Sequence, residues 1–517
     1  MNRNKAINDL YNNQTYDIII IGGGATGLGA AVDAATRGYK TLLLEKYDFA
    51  KGTSSKATKL VHGGVRYLAQ GNIKLVRDAL RERGYLLKNA AHVCNTMLFV
   101  IPCYRWWQKV FYGVGLKIYD ILSGKLSLGS TKIISSKKVL EFLPQVNSNK
   151  LKGGIVYTDG QFDDARLAIN LAQTATKHGA TVINYCSVTN LIKENNLVCG
   201  VVCQDELTGI SYTLKAKAVI NATGVFVDEI MKMDNGDDEN LVTPSQGIHI
   251  VVDKKYFTSN QALMIPKTTD GRVLFAVPWQ NHVIIGTTDT EVKHIEIEPK
   301  PINAEVDFIL QNVNQYLNST IQRADVKSVF VGLRPLVKDK NAKKTSLLAR
   351  DHSIIISPSK LISITGGKWT TYRKMAEQVV NNAAYAGNLS KAKCVTQHLS
   401  IHGNCNTKQN NDFSFYGTDE QVLNELYKEN ISWQEKIHPN FSYTKAMVVL
   451  AVRNEMACKV EDVLARRLRL LFLDAQVAID VAPTVATIMA KELNENQNWI
   501  DKEIKEFNVL AKQYLLS

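Results

Sequence analysis

The chain has 517 residues, enough for several domains, and its 45% hydrophobic and 21% charged content indicates a folded protein with a large core rather than a disordered chain. Lys and Arg outnumber Asp and Glu by 62 to 49, and the formal net charge of +13 favours anionic partners: phosphorylated substrates, anionic lipid or nucleic acid. The eight cysteines form no paired C-x-x-C sites, so we expect reduced thiols in a cytosolic compartment and no metal site. The N-terminus is polar and no apolar run is long enough to span a bilayer, so we expect no signal peptide and no membrane-spanning helix.

The first predicted strand runs into a glycine-rich turn. Four consecutive isoleucines at 18–21 predict a strand that is buried on both faces. Gly22, Gly24 and Gly27 follow with the G-x-G-x-x-G spacing. The first allows a tight turn, the second lets a pyrophosphate approach the backbone, and the third lets the next helix pack against the strand.

The helix after this turn ends near Gly38, and a second strand over 41–44 ends at Glu45. The N-terminus of such a helix attracts an anion. A carboxylate at this distance along the chain is placed to accept hydrogen bonds from a ribose. Strand, glycines, helix, strand and acid occur in the order that predicts a dinucleotide-binding unit, and an ordinary glycine-rich turn is the alternative.

Residues 48–67 combine small residues, hydroxyls and cations. This composition is typical of a loop that lies along a polyphosphate and an isoalloxazine ring, whereas a plain surface loop is the weaker alternative. A helix is predicted next, over 73–91. Residues 97–122 then mix aromatic and cationic side chains and leave two alternatives open: an interfacial membrane segment, or a core helix whose cations reach solvent.

An α/β pattern returns from residue 155, with a helix capped by Asp163 or Asp164. Strands are predicted at 181–183, 197–203, 212–214 and from 216 to a small-residue turn at 222–224. An acidic loop at 231–240 is a candidate crossing between subdomains.

The next part of the chain predicts an antiparallel sheet from short β runs within 246–290. It continues with a helix at 304–316, strands at 326–331, 353–356 and 361–365, and a helix at 371–386. A polar linker at 403–415 precedes predicted helices at 419–428, 442–455, 460–472, 475–493 and 501–515.

These motifs resemble those of FAD-dependent glycerol-3-phosphate dehydrogenase, the flavin-linked respiratory-chain type. The matching segments follow the family's order from about 16 to 375: GGGATG (22–27), TSSKATKLVHGGVRY (53–67), DDAR (163–166), NATG (221–224), GIHIVV (247–252), GTTD (286–289), GLRP (332–335) and GGKWTTYR (366–373). The C-terminal run CKVEDVLARR (458–467) is similar to the family's C-terminal domain.

The resemblance implies an α/β fold of the glycine/D-amino-acid-oxidase type. It has a doubly wound FAD-binding domain, an antiparallel-sheet substrate domain and an all-helical C-terminal domain. We expect the FAD-binding domain at 1–75, 150–235 and 330–385, the substrate-binding or cap domain at 76–149 and 236–329, a linker region at 386–402, and the helical domain at 403–517.

The resemblance also implies FAD as the cofactor and oxidation of sn-glycerol 3-phosphate to dihydroxyacetone phosphate, with hydride passing from C2 to the flavin N5. The cofactor-binding positions that it implies are Gly22, Gly23, Gly24, Ala25, Thr26, Gly27, Glu45, Lys46, Thr53, Ser54, Ser55, Lys59, Leu60, His62, Gly63, Gly64, Val188, Ala222, Thr223, Gly224, Gly366, Gly367, Lys368, Trp369 and Thr370.

A dianionic substrate needs cations, and Arg66, Arg334, Arg350 and Lys368 match positions that the family uses around substrate and flavin. Which of them touches the phosphate and which faces the flavin N1–O2 edge stays open. His249 is the candidate general base, since histidine titrates near working pH; an ordinary strand histidine is the alternative. His249, Arg334 and Lys368 are the expected catalytic residues. These three, together with Arg66 and Arg350, are expected to bind the substrate.

The expected electron acceptor is membrane quinone, and the basic balance with segment 97–122 favours a peripheral protein on an anionic membrane, at its cytoplasmic face. The sequence leaves open whether the protein forms a homodimer. One alternative is a glycerol-3-phosphate oxidase that uses oxygen, and another is a flavin amine or amino-acid oxidase of the same fold. A flavin-stabilised nucleic-acid-binding protein is disfavoured because the cations are dispersed, so no nucleic-acid partner is expected.

Overall fold

The computed structural model describes residues 1–12, 14–64, 68, 71–236, 240–338, 352–405 and 413–516. Its strands, in chain order, are β1 (Thr15–Ile21), β2 (Thr41–Leu44), β3 (Leu60–Val61), β4 (Cys94–Cys103), β5 (Lys132–Ile134), β6 (Gly153–Phe162), β7 (Thr181–Ile183), β8 (Cys186–Glu194), β9 (Leu197–Asp205), β10 (Ser211–Asn221), β11 (Val242–Asp253), β12 (Ala262–Ile265), β13 (Leu274–Trp279), β14 (His282–Gly286), β15 (Thr290–Glu291), β16 (Val326–Val337), β17 (His352–Ile356) and β18 (Ile362–Gly366). Its α-helices are α1 (Arg3–Asn12), α2 (Ala25–Thr36), α3 (Ile73–Asn89), α4 (Trp106–Ser123), α5 (Ser136–Phe142), α6 (Asp164–Lys177), α7 (Val227–Asn235), α8 (Asn303–Asn314), α9 (Tyr372–Ala386), α10 (Glu420–Glu429), α11 (Lys445–Glu455), α12 (Leu470–Leu473), α13 (Ala475–Leu493) and α14 (Gln497–Ala511).

The first sheet is built around β1. Its strands run in the order β17-β18-β10-β1-β2-β7, and the antiparallel pair β9 and β8 extends from β10. The ladders that join β18, β10, β1, β2 and β7 are parallel. Ile18, Ile19 and Ile20 are fully buried, because a parallel sheet is covered on both faces. The predicted strand–turn–helix–strand unit at the start of the chain is confirmed.

The second sheet has ten strands in the order β15-β11-β14-β13-β12-β4-β6-β3, with β16 also on β11 and β5 on β6. Every ladder in it is antiparallel except the one between β12 and β4. The predicted α/β fold with a second, antiparallel sheet is thereby confirmed.

The C-terminal helices form a core of their own. Helices α11, α12 and α13 pack together, and their core includes Val251, Trp279 and Phe330 from the second sheet. The helical domain therefore sits directly on the sheet, and it is joined to it by apolar contact.

Segment 460–472 is not the single helix that its periodicity predicts. A π-helical stretch spans Asp462–Arg467, Arg469 has a φ of 64°, and α12 follows. Arg466, Arg467 and Arg469 are buried, and each pairs with a carboxylate elsewhere in the fold. These tertiary ion pairs override the helical pattern, and π turns are typical of such constrained positions.

Other differences concern element boundaries. The strands predicted at 212–214 and from 216 form one strand, β10, and the strand predicted at 326–331 continues to Val337 because β11 pairs with it along its length. Residues up to 235 of the predicted acidic loop are helical, while 237–239 and most of the predicted 403–415 linker lie outside the described residues. The sequence does not predict β4, β8 or β12. β4 pairs with β6 and β12, which are distant in the chain, whereas β8 forms a local hairpin with β9.

Segment 97–122 divides into the end of β4 and the helix α4. Gly113, Leu116 and Tyr119 are buried, whereas Trp106 and Phe111 are 74% and 62% exposed. The helix thus has one face in the core and one apolar face in solvent. Within the described residues, no helix has both the length and the hydrophobicity needed to cross a bilayer.

Candidate active site

A cavity of about 760 Å³ lies where the two sheets meet. On the first sheet its wall is formed by residues at or after the carboxyl ends of β1, β2, β10 and β18. This edge is where open α/β sheets bind ligands. The second sheet contributes residues of β6, β11, β13 and β16. The volume is in the range of small-molecule sites, about 300–1,000 Å³.

Most of the predicted cofactor residues line this cavity. They come from segments far apart in the chain, and they are Gly22, Gly24, Ala25, Thr26, Glu45, Lys46, Thr53, Ser54, Leu60, His62, Gly64, Val188, Ala222, Thr223, Gly224, Gly366, Gly367, Lys368, Trp369 and Thr370. His249 and Arg334 line the same cavity. The fold therefore brings the predicted cofactor segments and all three predicted catalytic residues, His249, Arg334 and Lys368, to one place.

The remaining predicted residues are placed differently. Gly23, Gly27, Ser55, Lys59 and Gly63 are not part of the cavity wall. The ammonium of Lys59 is fully buried against the Asp164 carboxylate, at 2.7 Å, so its contact is structural. Arg66 and Arg350 lie outside the described residues.

The glycine-rich turn has the geometry of a pyrophosphate site. A Cβ at Gly27 would lie 1.9 Å from the carbonyl oxygen of Gly22, so only glycine lets α2 begin this close to β1. The Ala25 N–H donates to Ser54 Oγ at 2.9 Å, which ties the helix N-terminus to the 48–67 loop. Unpaired N–H groups at such a terminus attract phosphate.

Glu45 closes the other side of the turn. Its two carboxylate oxygens accept hydrogen bonds from the Gly23 N–H at 2.5 Å and from the Tyr47 N–H at 2.8 Å. The pKa of this carboxyl group is raised, because burial raises it more than the two N–H donors lower it. Each oxygen has a further lone pair, so Glu45 can still accept from a ribose hydroxyl. The turn and the acid together fit the adenosine and pyrophosphate of FAD.

His249 lies on β11 in the part of the wall formed by the second sheet. Its Nε2 is 2.8 Å from Thr58 Oγ1, and its ring stacks on Phe330 with centroids 4.8 Å apart and planes at 15°. Burial, followed by the charges of Arg334 and Lys59, holds the pKa of His249 well below 6.5. The imidazole is therefore neutral at neutral pH, the form that can accept a proton.

Arg334 lies on β16 beside Gly247 of β11. Its Nη2 donates to Thr287 Oγ1 at 3.1 Å, and its Nη1 is 3.4 Å from the carboxylate of Asp289. A Cβ at Gly247 would lie 2.3 Å from Arg334 Nη2, so the missing side chain is what gives the guanidinium its place. The side chain is 24% exposed, so the guanidinium is accessible to an anion in the cavity.

Cations outnumber acids along the described wall. The cations are Lys46, Lys51, Lys56, Arg272, Arg334 and Lys368, and the acids are Glu45, Glu229 and Asp289. Lys51 and Lys56 also pair with Glu461 and Glu298 at 2.7 Å, two acids outside the wall. An anionic ligand is thus favoured, chiefly at the end that holds Arg334.

Sequence reasoning missed several residues at this site. Thr58, Lys56, Arg272 and Asp289 all line the cavity and were not assigned a role. Lys56, Thr58 and Asp289 lie in segments that the motifs single out, which is the signal that could identify them, whereas Arg272 lies outside these segments. The partner of Thr58 is His249, 191 positions away, and no local pattern shows such a contact.

Comparison with known proteins shows which families two successive regions of the chain match. Residues 17–373 match the family model described as FAD dependent oxidoreductase. Residues 358–500 match the C-terminal domain of alpha-glycerophosphate oxidase. The first match covers more than half of the chain and contains the described cavity wall except Met375.

Similarity to individual proteins extends over nearly the whole chain. The mitochondrial glycerol-3-phosphate dehydrogenase of Macaca fascicularis is 40% identical over 98% of this chain and 74% of its own length. A probable mitochondrial enzyme of the same name from Caenorhabditis elegans is 41% identical over 95% and 72%. The crystal structure of the glycerol-3-phosphate dehydrogenase from Bacillus halodurans, complexed with FAD, superposes with a TM-score of 0.81 at 29% identity, covering 99% of this chain and 97% of that one.

Proposed function

Because this chain belongs to the FAD-dependent oxidoreductase family, and within it to the glycerol-3-phosphate dehydrogenases, we propose that it oxidises sn-glycerol 3-phosphate to dihydroxyacetone phosphate with FAD. The observation that carries the proposal is the shared cavity, where the glycine-rich turn, a buried neutral histidine and Arg334 meet. A cofactor site next to a base and a cation suits oxidation of a phosphorylated alcohol.

Each residue then has a separate task. When bound, FAD supplies the acceptor for the hydride that leaves C2 of the substrate. His249 takes the proton of the C2 hydroxyl, which its lowered pKa permits at neutral pH. Arg334 binds the substrate phosphate, for which a planar guanidinium provides two parallel donors. Lys368, after the turn that follows β18, adds positive charge to the same wall.

The test is an anaerobic titration of the purified yellow protein. We expect glycerol 3-phosphate to bleach the visible flavin absorbance, and the His249→Asn variant to retain FAD but bleach at least about a hundred-fold more slowly. A panel of amines and amino acids serves as the control. Bleaching by a member of that panel alone would replace the proposed substrate and leave the cofactor assignment intact.

The proposed electron acceptor is a membrane quinone, because the similar proteins are named dehydrogenases rather than oxidases and helix α4 has an exposed apolar face. Oxygen is the second candidate, because residues 358–500 match the C-terminal domain of alpha-glycerophosphate oxidase. Turnover with a short-chain quinone analogue is compared with oxygen consumption at equal substrate. Peroxide formation that matches substrate consumption, without quinone reduction, would favour the oxidase.

Helix α4 supports attachment to a membrane surface. Its outward face carries large apolar side chains at helical spacing, each more than 40% exposed: Trp106, Trp107, Val110, Phe111, Val114, Ile118 and Ile121. Arg105 and Lys117 are exposed beside them. An apolar face bordered by cations is suited to lie in the headgroup region of an anionic bilayer.

We expect the protein to co-sediment with vesicles of anionic lipid more than with vesicles of zwitterionic lipid. The double variant Trp106→Ser/Phe111→Ser should lose this binding and retain activity with a soluble acceptor. A matched control, Tyr385→Ser/Ile431→Ser, removes two side chains that are 86% and 72% exposed elsewhere on the surface. Equal loss of vesicle binding in both double variants would contradict a specific role of α4.

We also propose the division into an FAD-binding domain (1–75, 150–235, 330–385), a substrate domain (76–149, 236–329) and a C-terminal domain (403–517), with the linker at 386–402. The separate helical core supports the C-terminal domain, and the two sheets support separate cofactor and substrate domains, although β3, β6 and most of β16 of the second sheet fall in the proposed FAD-binding ranges. Limited proteolysis should cut first near 386–402, between the FAD-binding and C-terminal domains, if these boundaries are right.

A further inference from the structure

The candidate base His249 is held on two sides by groups that do not belong to its own strand. Thr58 Oγ1 lies 2.8 Å from Nε2, and Phe330 covers one face of the ring. The other ring nitrogen, Nδ1, is buried and has no hydrogen-bond partner among the described residues. Among the described residues, the Thr58 hydroxyl, which can donate to Nε2 or accept from it, is therefore the polar contact that fixes the orientation of the ring.

Thr58 is itself held through its two neighbours. The Ala57 N–H donates to Asp164 Oδ2 at 2.9 Å, and the Lys59 ammonium binds both oxygens of the same carboxylate at 2.7 and 2.8 Å. Lys59 and Asp164 are fully buried. The Asp164 carboxylate, at the start of α6, thus holds both neighbours of Thr58: Ala57 through its backbone N–H and Lys59 through its ammonium group.

The C-terminal helices complete this cluster. Arg469 Nη2 donates to the Ser55 carbonyl at 2.8 Å and to Asp164 Oδ1 at 3.1 Å. Its guanidinium also lies 4.2 Å from the ring centroid of Phe472, which packs on Phe330 at 4.9 Å. Arg469 is therefore connected to His249 along two routes, one through the loop and one through the aromatic rings.

We propose that Thr58 is a positioning residue that sets the orientation of the His249 ring, and that the cluster of Lys59, Asp164 and Arg469 holds Thr58 in place. The C-terminal helices then contribute to the reaction without touching the substrate. Buried, hydrogen-bonded charges of this kind fix one arrangement, because any other leaves a charge unpaired in the interior. This inference rests on the proposed function only in assigning His249 as the base.

The first experiment compares Thr58→Val, which removes the hydroxyl at nearly constant shape, with Thr58→Ser, which keeps it. We expect Thr58→Val to slow anaerobic flavin bleaching by at least about tenfold, a part of the 10²–10⁴-fold that a general base contributes. FAD content and melting temperature should stay near those of the parent, and Thr58→Ser should restore most of the rate. Thr176→Val is the matched control, since that hydroxyl donates to the Ala172 carbonyl at 2.9 Å, within α6 and away from the cavity.

A second readout does not need the substrate. Nitrogen-15 NMR of histidine-labelled holoenzyme, assigned by difference from His249→Asn, reports the hydrogen bonding of each ring nitrogen of His249. The Nε2 resonance should shift in Thr58→Val, which removes its hydrogen-bond partner, and stay near the parent position in Thr58→Ser. If glycerol 3-phosphate fails to bleach the parent, the proposed function falls, while the NMR result still decides the role of Thr58.

The contribution of Arg469 is tested with Arg469→Lys, which keeps a cation but loses the planar guanidinium that lies over Phe472 and the second donor, Nη1, to the Ala465 carbonyl at 3.0 Å. We expect slower bleaching with an unchanged KM. Combined with Thr58→Val, the change should add little, because both act on the same contact. Independent, multiplicative effects would overturn the coupling, and a Thr58→Val enzyme with the parental rate and an unshifted Nε2 resonance would overturn the proposal.

Discussion

Gly247→Ala is expected to disable Arg334 without changing any charged residue. The added Cβ would lie 2.3 Å from Nη2 and 2.7 Å from Cζ and Nη1 of Arg334, whereas ordinary contacts begin at 3.4 Å. The guanidinium would therefore retreat by about 1 Å and lose its 3.1 Å hydrogen bond to Thr287. A displacement of about 1 Å in a positioning group can cost about 10²-fold in rate. We expect kcat/KM for glycerol 3-phosphate to fall by about that factor, which corresponds to about 2.7 kcal/mol.

The assay is steady-state turnover with a soluble acceptor, together with FAD content and melting temperature. Gly115→Ala is the control, because its Cβ would meet no atom within 4 Å. A double-mutant cycle with Arg334→Gln then isolates the mechanism. If Gly247→Ala acts through Arg334, it should cost little in the Arg334→Gln background. Full additivity, or loss of FAD in Gly247→Ala alone, would refute this reasoning.

Two pH effects should also be measurable. At saturating substrate, the pH profile of kcat should stay flat as pH falls through 6.5 and decline only well below it, since burial, Arg334 and Lys59 lower the pKa of His249. An acid limb of kcat at or above 6.5 would contradict this, whereas kcat/KM also contains the second ionisation of the substrate phosphate, at about pH 6. Burial raises the pKa of Glu503 from 4.5 to about 7, so the folded state loses stability as pH rises across this interval. Glu503→Gln, which keeps an acceptor for the Val460 N–H, should raise the free energy of unfolding by about 1–3 kcal/mol near pH 8 and leave it unchanged near pH 4. Denaturant titrations at both pH values would check this, and equal effects at both would exclude the carboxylate's charge as the cause.

The cofactor half of the site could be predicted from the sequence. The turn at Gly22–Gly27, the acid Glu45 and the small-residue turns at 222–224 and 366–367 are local patterns, and the physics that places them is local too. Parallel strands end along one edge of the sheet. A helix that begins there points its N-terminus at the crevice outside this edge, where it attracts an anion. Residues chosen on this basis line the cavity.

The positions of the substrate-binding residues depend on pairing between strands that are distant in the chain. Arg334 has its position because β16 pairs with β11 in a register that sets it next to Gly247. The sequence identifies Arg334 as a candidate but says nothing about Gly247, since the contact arises only after the two strands pair.

The C-terminal arginines show the same limit. The pattern at 460–472 predicts a regular helix, yet this segment is π-helical in part, and Arg466, Arg467 and Arg469 are buried against Asp48 and Asp164. A buried ion pair is stable only when both partners are desolvated together, so its existence depends on which segments the fold brings into contact. The sequence by itself determined the family, the cofactor turn and most elements. The tertiary structure decided which charges meet, and thereby how Thr58 and His249 are held.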